Sequence, residues 1–126
     1  MRFLKEYTIL FIIIVFVILI EIITDNITHK AINNISKNID ELESVLETEE
    51  AKDSINELCL SWKNEGKKLS YYMEHNELEK ISILVDNVKS DIESENTEEI
   101  NKELNEMKFL LEHVKNKQKL ELKNIF

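Results

Sequence analysis

Apolar residues follow one another in two different rhythms along this chain. From Ile9 to Ile20 there is no polar side chain, and Ile22 and Ile23 extend the run past Glu21. After Thr24 the apolar positions recur at alternating steps of three and four. The first stripe is Ile32, Ile35, Ile39, Leu42 and Leu46, and the second is Ala51, Ile55, Leu58 and Trp62, resuming at Leu69 and Tyr72. Leu78, Ile81, Val85, Val88 and Ile92 form the third, and Ile100, Leu104, Met107, Leu111 and Val114 the fourth. That spacing is the narrow buried seam of coiled-coil-like bundles, each helix hiding one face and wetting the rest. The pattern predicts an all-α fold: an N-terminal transmembrane helix followed by an antiparallel bundle of about four helices, arranged as two helical hairpins.

Start signals lie between the stripes. Thr48 precedes Glu49 and Glu50, Asn76 has Glu79 three residues on, and Thr97 precedes Glu98 and Glu99. Such residues cap orphan amides while the acids favour the positive helix end. The Thr-Glu-Glu at 48 and at 97, each followed by an Asn-Glu pair inside an apolar stripe, is an internal echo; paired hairpins and chance convergence both account for it. Gly66 falls inside the second stripe, which resumes in phase beyond it, so one long helix, bent or straight, is expected there. No Gly or Pro interrupts Tyr7 to Leu46. Anchor and first bundle helix therefore form either one rod or two helices jointed near Asp25 and Asn26, which are weak helix formers.

Composition sharpens this picture by exclusion. One glycine and no proline in 126 residues leave Gly66 as the single evident candidate for a positive-φ turn. Sheet proteins and Gly-rich phosphate-binding folds need many more. At ~1.5 Å per residue, Tyr7 to Thr24 covers about 27 Å, close to the ~30 Å of a hydrocarbon core. In that medium a lone segment satisfies its backbone only as a helix. The exit EIITDNITHKAI has no small-residue cleavage pattern, and an uncleaved anchor is expected. Arg2 and Lys5 precede the run against Glu6, so the positive-inside bias places the N-terminus in the cytoplasm. The expected layout is a short cytoplasmic stretch over 1–7, an anchor over 8–24 in the cytoplasmic membrane, and an extracytoplasmic helical domain over 25–126. Cys59 has no second cysteine to pair with and neighbours a core stripe, which favours burial.

Site chemistry is sparse. His29, His75 and His113 lack the spacing that turns two ligands to one side of a helix, and a single Cys cannot build a thiolate site. The serines occur in no nucleophile elbow. No metal, cofactor or catalytic residue is expected, and the chain reads as a non-enzyme. From Thr24 onward there are 14 basic and 23 acidic residues, a balance that repels phosphate backbones and argues against nucleic acid. The lysines from Lys115 to Lys123 form a local basic end, read first as a solvated helix terminus. Leu60, Ile83, Phe109 and Leu110 lie off or beside the seams, while Trp62, Tyr71 and Tyr72 lie on or beside the second; these seven are the candidate partner-contact residues.

The C-terminal run LNEMKFLLEHVKNKQKLELKNIF, the phrase MEHNELEKI around His75, and Trp62 late in the second helix, all behind a short anchor, resemble the bacterial family called domain of unknown function 4363. The likeness spans nearly the whole chain. Its most specific part is LLEH with the ending Lys123-Asn124-Ile125-Phe126. Members of that family often carry proline just after the His-Val/Ile step, where this chain has Lys115. The resemblance implies a single-pass helical protein and supplies no catalytic residue. Two functions of different kinds are compatible with these residues. One is a non-catalytic interaction or accessory module, held at the lipid bilayer and docking on another membrane protein or as a homo-oligomer. The other is an extracytoplasmic sensor binding a small ligand among Trp62, Tyr71 and Tyr72.

Overall fold

The computed structural model describes residues 2–125, with side chains through Lys117. Four helices account for nearly all of it: α1 (Arg2–Ser44), α2 (Ala51–Leu69), α3 (His75–Glu93) and α4 (Thr97–Ile125). The question of rod or joint has a definite answer. α1 is one uninterrupted helix of 43 residues, passing Asp25 and Asn26 without a break. Asp25 and Asn26 are poor helix formers, but with no Gly or Pro nearby the i→i−4 ladder persists through them.

α1 packs on α2, α2 on α3, α3 on α4, and α4 closes the ring onto α1. The chain therefore forms one four-helix bundle, each hairpin contributing two sides. Its core is the four predicted stripes. Ile35, Ile39, Leu42, Leu58, Leu69, Ile81, Val88, Leu104, Met107 and Leu111 are almost completely enclosed. Leu46, Trp62 and Leu78 pack against the core from its margin. Fully burying each such aliphatic chain contributes roughly 1.5–3 kcal/mol, and these residues hold the helices together where surface ion pairs contribute little. Tyr72 departs from the expected stripe: α2 stops at Leu69, and Tyr72 sits in the following turn, 38% exposed.

The seam is longer than the hydrophobic pattern suggests. Ile18, Glu21 and Asp25 are half-buried and Thr28 is buried, whereas Leu4 through Val17 are exposed. Counting from Ile18 through Glu21, Asp25, Thr28, Ile32, Ile35, Ile39 and Leu42, the steps alternate three and four without a slip. The inward face of α1 thus runs from the bundle into the end of the apolar segment, and three of its positions are polar. Thr28 satisfies its buried hydroxyl by donating to the Thr24 carbonyl at 3.0 Å.

The helix starts are built differently from the expected caps. α2 begins after Glu50 and α3 after Glu74, and neither N-cap makes a side-chain capping bond. Thr48 instead donates its hydroxyl backwards to the Val45 carbonyl at 2.8 Å, and Asn76 lies inside α3. The two Thr-Glu-Glu echoes are not equivalent either, because Thr48 precedes α2 by three residues whereas Thr97 is the first residue of α4. Gly66 is plain helix. The positive φ belongs to Glu95, at 58°, where α3 ends. Glu95 N–H donates to the Ile92 carbonyl and Asn96 N–H to the Asp91 carbonyl, the paired bonds of a Schellman turn. α4 then runs past Lys115, where the resembling family often has proline, as far as Ile125.

Candidate functional site

The arrangement of the helices determines which polar and aromatic groups meet. α1 leaves the apolar segment at Thr24, and the α2–α3 turn comes back to the level of Ile27 and Lys30. Between them lies a groove of about 390 Å³ lined by Ile27, Lys30, Asn34, Glu65, Lys68, Tyr71 and Tyr72. Glu65 forms its inner wall, accepting from Asn34 Nδ2 at 3.3 Å and pairing with Lys68 Nζ at 3.5 Å. Its side chain is only 12% exposed, while that of Lys68 is 58% exposed. Lys30 is exposed and makes no ion pair among the described residues. Tyr71 and Tyr72 stand edge to face with ring centroids 6.4 Å apart.

The groove joins two of the seven candidate contact residues and separates the rest. Trp62 is not among its lining residues; its indole N–H donates to Ser82 Oγ on α3 at 2.9 Å, so the three aromatics do not surround one ligand. Leu110 packs against the core. Leu60, Ile83 and Phe109 are 62%, 53% and 71% exposed, each two residues from a buried position and so pointing away from it. They lie on the outward faces of three different helices, α2, α3 and α4. Single exposed apolar residues of this kind are ordinary on protein surfaces.

Elsewhere, polar groups gather at helix–helix contacts. Lys108 Nζ reaches from α4 to Glu43 Oε2 at 2.7 Å and Asp40 Oδ1 at 3.3 Å on α1, and its pKa is raised chiefly by the hydrogen bond to Glu43. Glu103 faces Asp91 across α3 and α4. Burial first, then the hydrogen bond and charge of Asp91 and the charges of Glu99 and Glu106, push its carboxyl up to about 7. At the other end of that pair of helices, Lys117 meets Glu74 at 3.1 Å and His113 lies 4.0 Å from Glu77. His29 Nε2 lies 3.3 Å from Asp25 Oδ1, without the alignment of a hydrogen bond. Cys59 is half-buried against the core, and desolvation raises its thiol pKa. A second groove, about 550 Å³, opens at the far end between the α1–α2 and α3–α4 turns, with Glu47, Thr48, Glu49 and Glu95 on its rim.

The family model described as "Domain of unknown function (DUF4363)" matches residues 20–125. The chain belongs to this family. The match opens two residues after Ile18, where the seam of α1 begins, so the shared unit coincides with the bundle and its extension. No curated protein and no solved structure matches the chain.

Proposed function

We propose that the chain is a single-pass membrane protein whose acidic helical bundle is a non-catalytic interaction or accessory module at the outer face of the cytoplasmic membrane. One observation carries the reading. The first half of α1 holds an apolar stretch long enough to cross a bilayer, none of it enclosed by the rest of the fold, yet it continues into the bundle as the same helix. A soluble protein would have to expose that surface to water at roughly 25 cal/mol for each Å². The positive charges of Arg2 and Lys5 favour the N-terminus inside.

The function follows from what the bundle offers: a rigid, strongly acidic body held close to the lipid, suited to docking on another membrane protein or on a second copy. Native membranes carrying the full-length protein should retain it through alkaline carbonate washing, and mild crosslinking should trap it with a stoichiometric protein partner or as an oligomer. Release by carbonate would overturn the anchor. Retention of a chain that crosslinks to no protein would overturn the docking role and leave the anchor intact.

A further inference from the structure

The groove beside Tyr71 and Tyr72 combines a positive charge balance, exposed aromatic rings and a position next to the apolar segment. Ile27 lies three residues, or ~4.5 Å, past Thr24, and Lys30 ~9 Å past it along a continuous helix. The headgroup layer of a bilayer is about 5–7 Å thick on each side of its hydrocarbon. The α2–α3 turn is folded back to this level, and it carries the aromatic type that concentrates there. Tyrosine places an apolar ring toward acyl chains and a hydroxyl toward water. Tyr71 is 83% exposed, on the side of the bundle nearest the apolar segment.

Charge narrows the occupant. The protein carries a net −9, yet this groove presents two lysines against one carboxylate. That carboxylate, Glu65, is already held by Asn34 and Lys68 on the inner wall. Lys30 and the exposed end of Lys68 are left facing outward over two aromatic rings and Ile27. Two ammonium groups above an apolar and aromatic floor, at the outer edge of the headgroup layer and within side-chain reach of it, complement a phosphodiester whose acyl chains continue into the hydrocarbon.

We propose that this groove binds the headgroup of an anionic phospholipid of the membrane in which α1 is anchored. Lys30 and Lys68 pair with the phosphate, and Tyr71 and Tyr72 cover the glycerol and the upper acyl chain. The site rests on the anchored reading given above and adds a lipid preference to it. The bound lipid ties the α2–α3 turn to the bilayer surface, a second attachment beside the anchor itself.

The test uses full-length protein reconstituted into phosphatidylcholine vesicles with and without phosphatidylglycerol, each lipid supplied in turn with a photoreactive headgroup. Resistance to carbonate is measured first, on the same vesicles. The integrated protein is expected to label preferentially with phosphatidylglycerol, on the peptide containing Tyr71 and Tyr72. That preference should fall about fivefold for each of Lys30→Gln and Lys68→Gln, the effect of about one lysine at an anionic surface. Lys63→Gln, exposed on α2 outside the groove, should leave it unchanged. Integrated protein that labels equally with both lipids, or a preference that survives in the double variant, overturns the site while the anchor stands. Protein released by carbonate overturns both.

Discussion

Trp62 and Ser82 join the middle of α2 to α3 through a single side-chain hydrogen bond, indole N–H to hydroxyl, at 2.9 Å. The bond is partly buried and lies beside Gly66, so the indole ring is confined on two sides. Removing the acceptor leaves a donor with reduced access to water. Ser82→Ala should destabilise the bundle by about 1 kcal/mol, and Trp62→Phe by somewhat more because ring volume is lost as well. Urea unfolding of the two variants and their double mutant measures the coupling; strict additivity would show that the bond contributes nothing.

Gly66 lies inside α2 with an ordinary helical backbone. A Cβ there would meet the Trp62 ring at 3.6 Å, normal van der Waals contact. Gly66→Ala should therefore raise stability by about 0.5–1 kcal/mol, chiefly by restricting the unfolded chain. A lower melting temperature would mean that the indole needs the space.

Glu95 is a non-glycine residue held at φ 58° in the turn closing α3. The left-handed conformation costs roughly 1 kcal/mol for a residue with a Cβ. Glu95→Gly should recover about that amount and leave the Asn96 to Asp91 bond in place. Thermal unfolding monitored by circular dichroism reads the shift, and a neutral or negative result would show that the Glu95 side chain has a compensating contact.

Glu103 titrates near 7 in the fold against an ordinary 4.5. The folded state then binds more protons than the unfolded chain between those values, so stability falls as pH rises through that window and the full penalty applies above it. Glu103→Gln removes the penalty. The variant should match the parent near the lower limit and exceed it above neutrality by on the order of 1 kcal/mol, since the site is only half-buried. Parallel stability–pH curves for the two proteins would rule out the carboxyl pair as the cause.

The stripes were legible because burial in a bundle selects one narrow face, and the predicted seams from Ile32, Ala51, Leu78 and Ile100 onward lie in or against the core at every position but Tyr72. The extension of the first seam was not. Glu21, Asp25 and Thr28 occupy its inward positions, and a search for apolar residues passes over them. Cap chemistry misled for a different reason. Acidic residues stabilise a helix start from several positions, so Glu50 and Glu74 serve as N-caps without side-chain bonds while Thr48 turns backward. Whether α1 breaks near Asp25 depends on a balance of weak propensities, and local sequence does not decide it. The groove was illegible for a topological reason: Lys30 and Tyr71 are brought together by the depth to which the α2–α3 turn descends along α1.

A helix that continues unbroken from the apolar segment into the bundle is also a lever. From Thr24 to Ser44 it extends ~30 Å, so a tilt of ~20°, typical of membrane helices, moves its far end sideways by about 10 Å. Because α2, α3 and α4 are packed on that same shaft, they swing with it as one piece. In the anchored state proposed above, the tilt of α1 thereby sets where the far-end turns around Glu47 and Glu95 stand above the lipid.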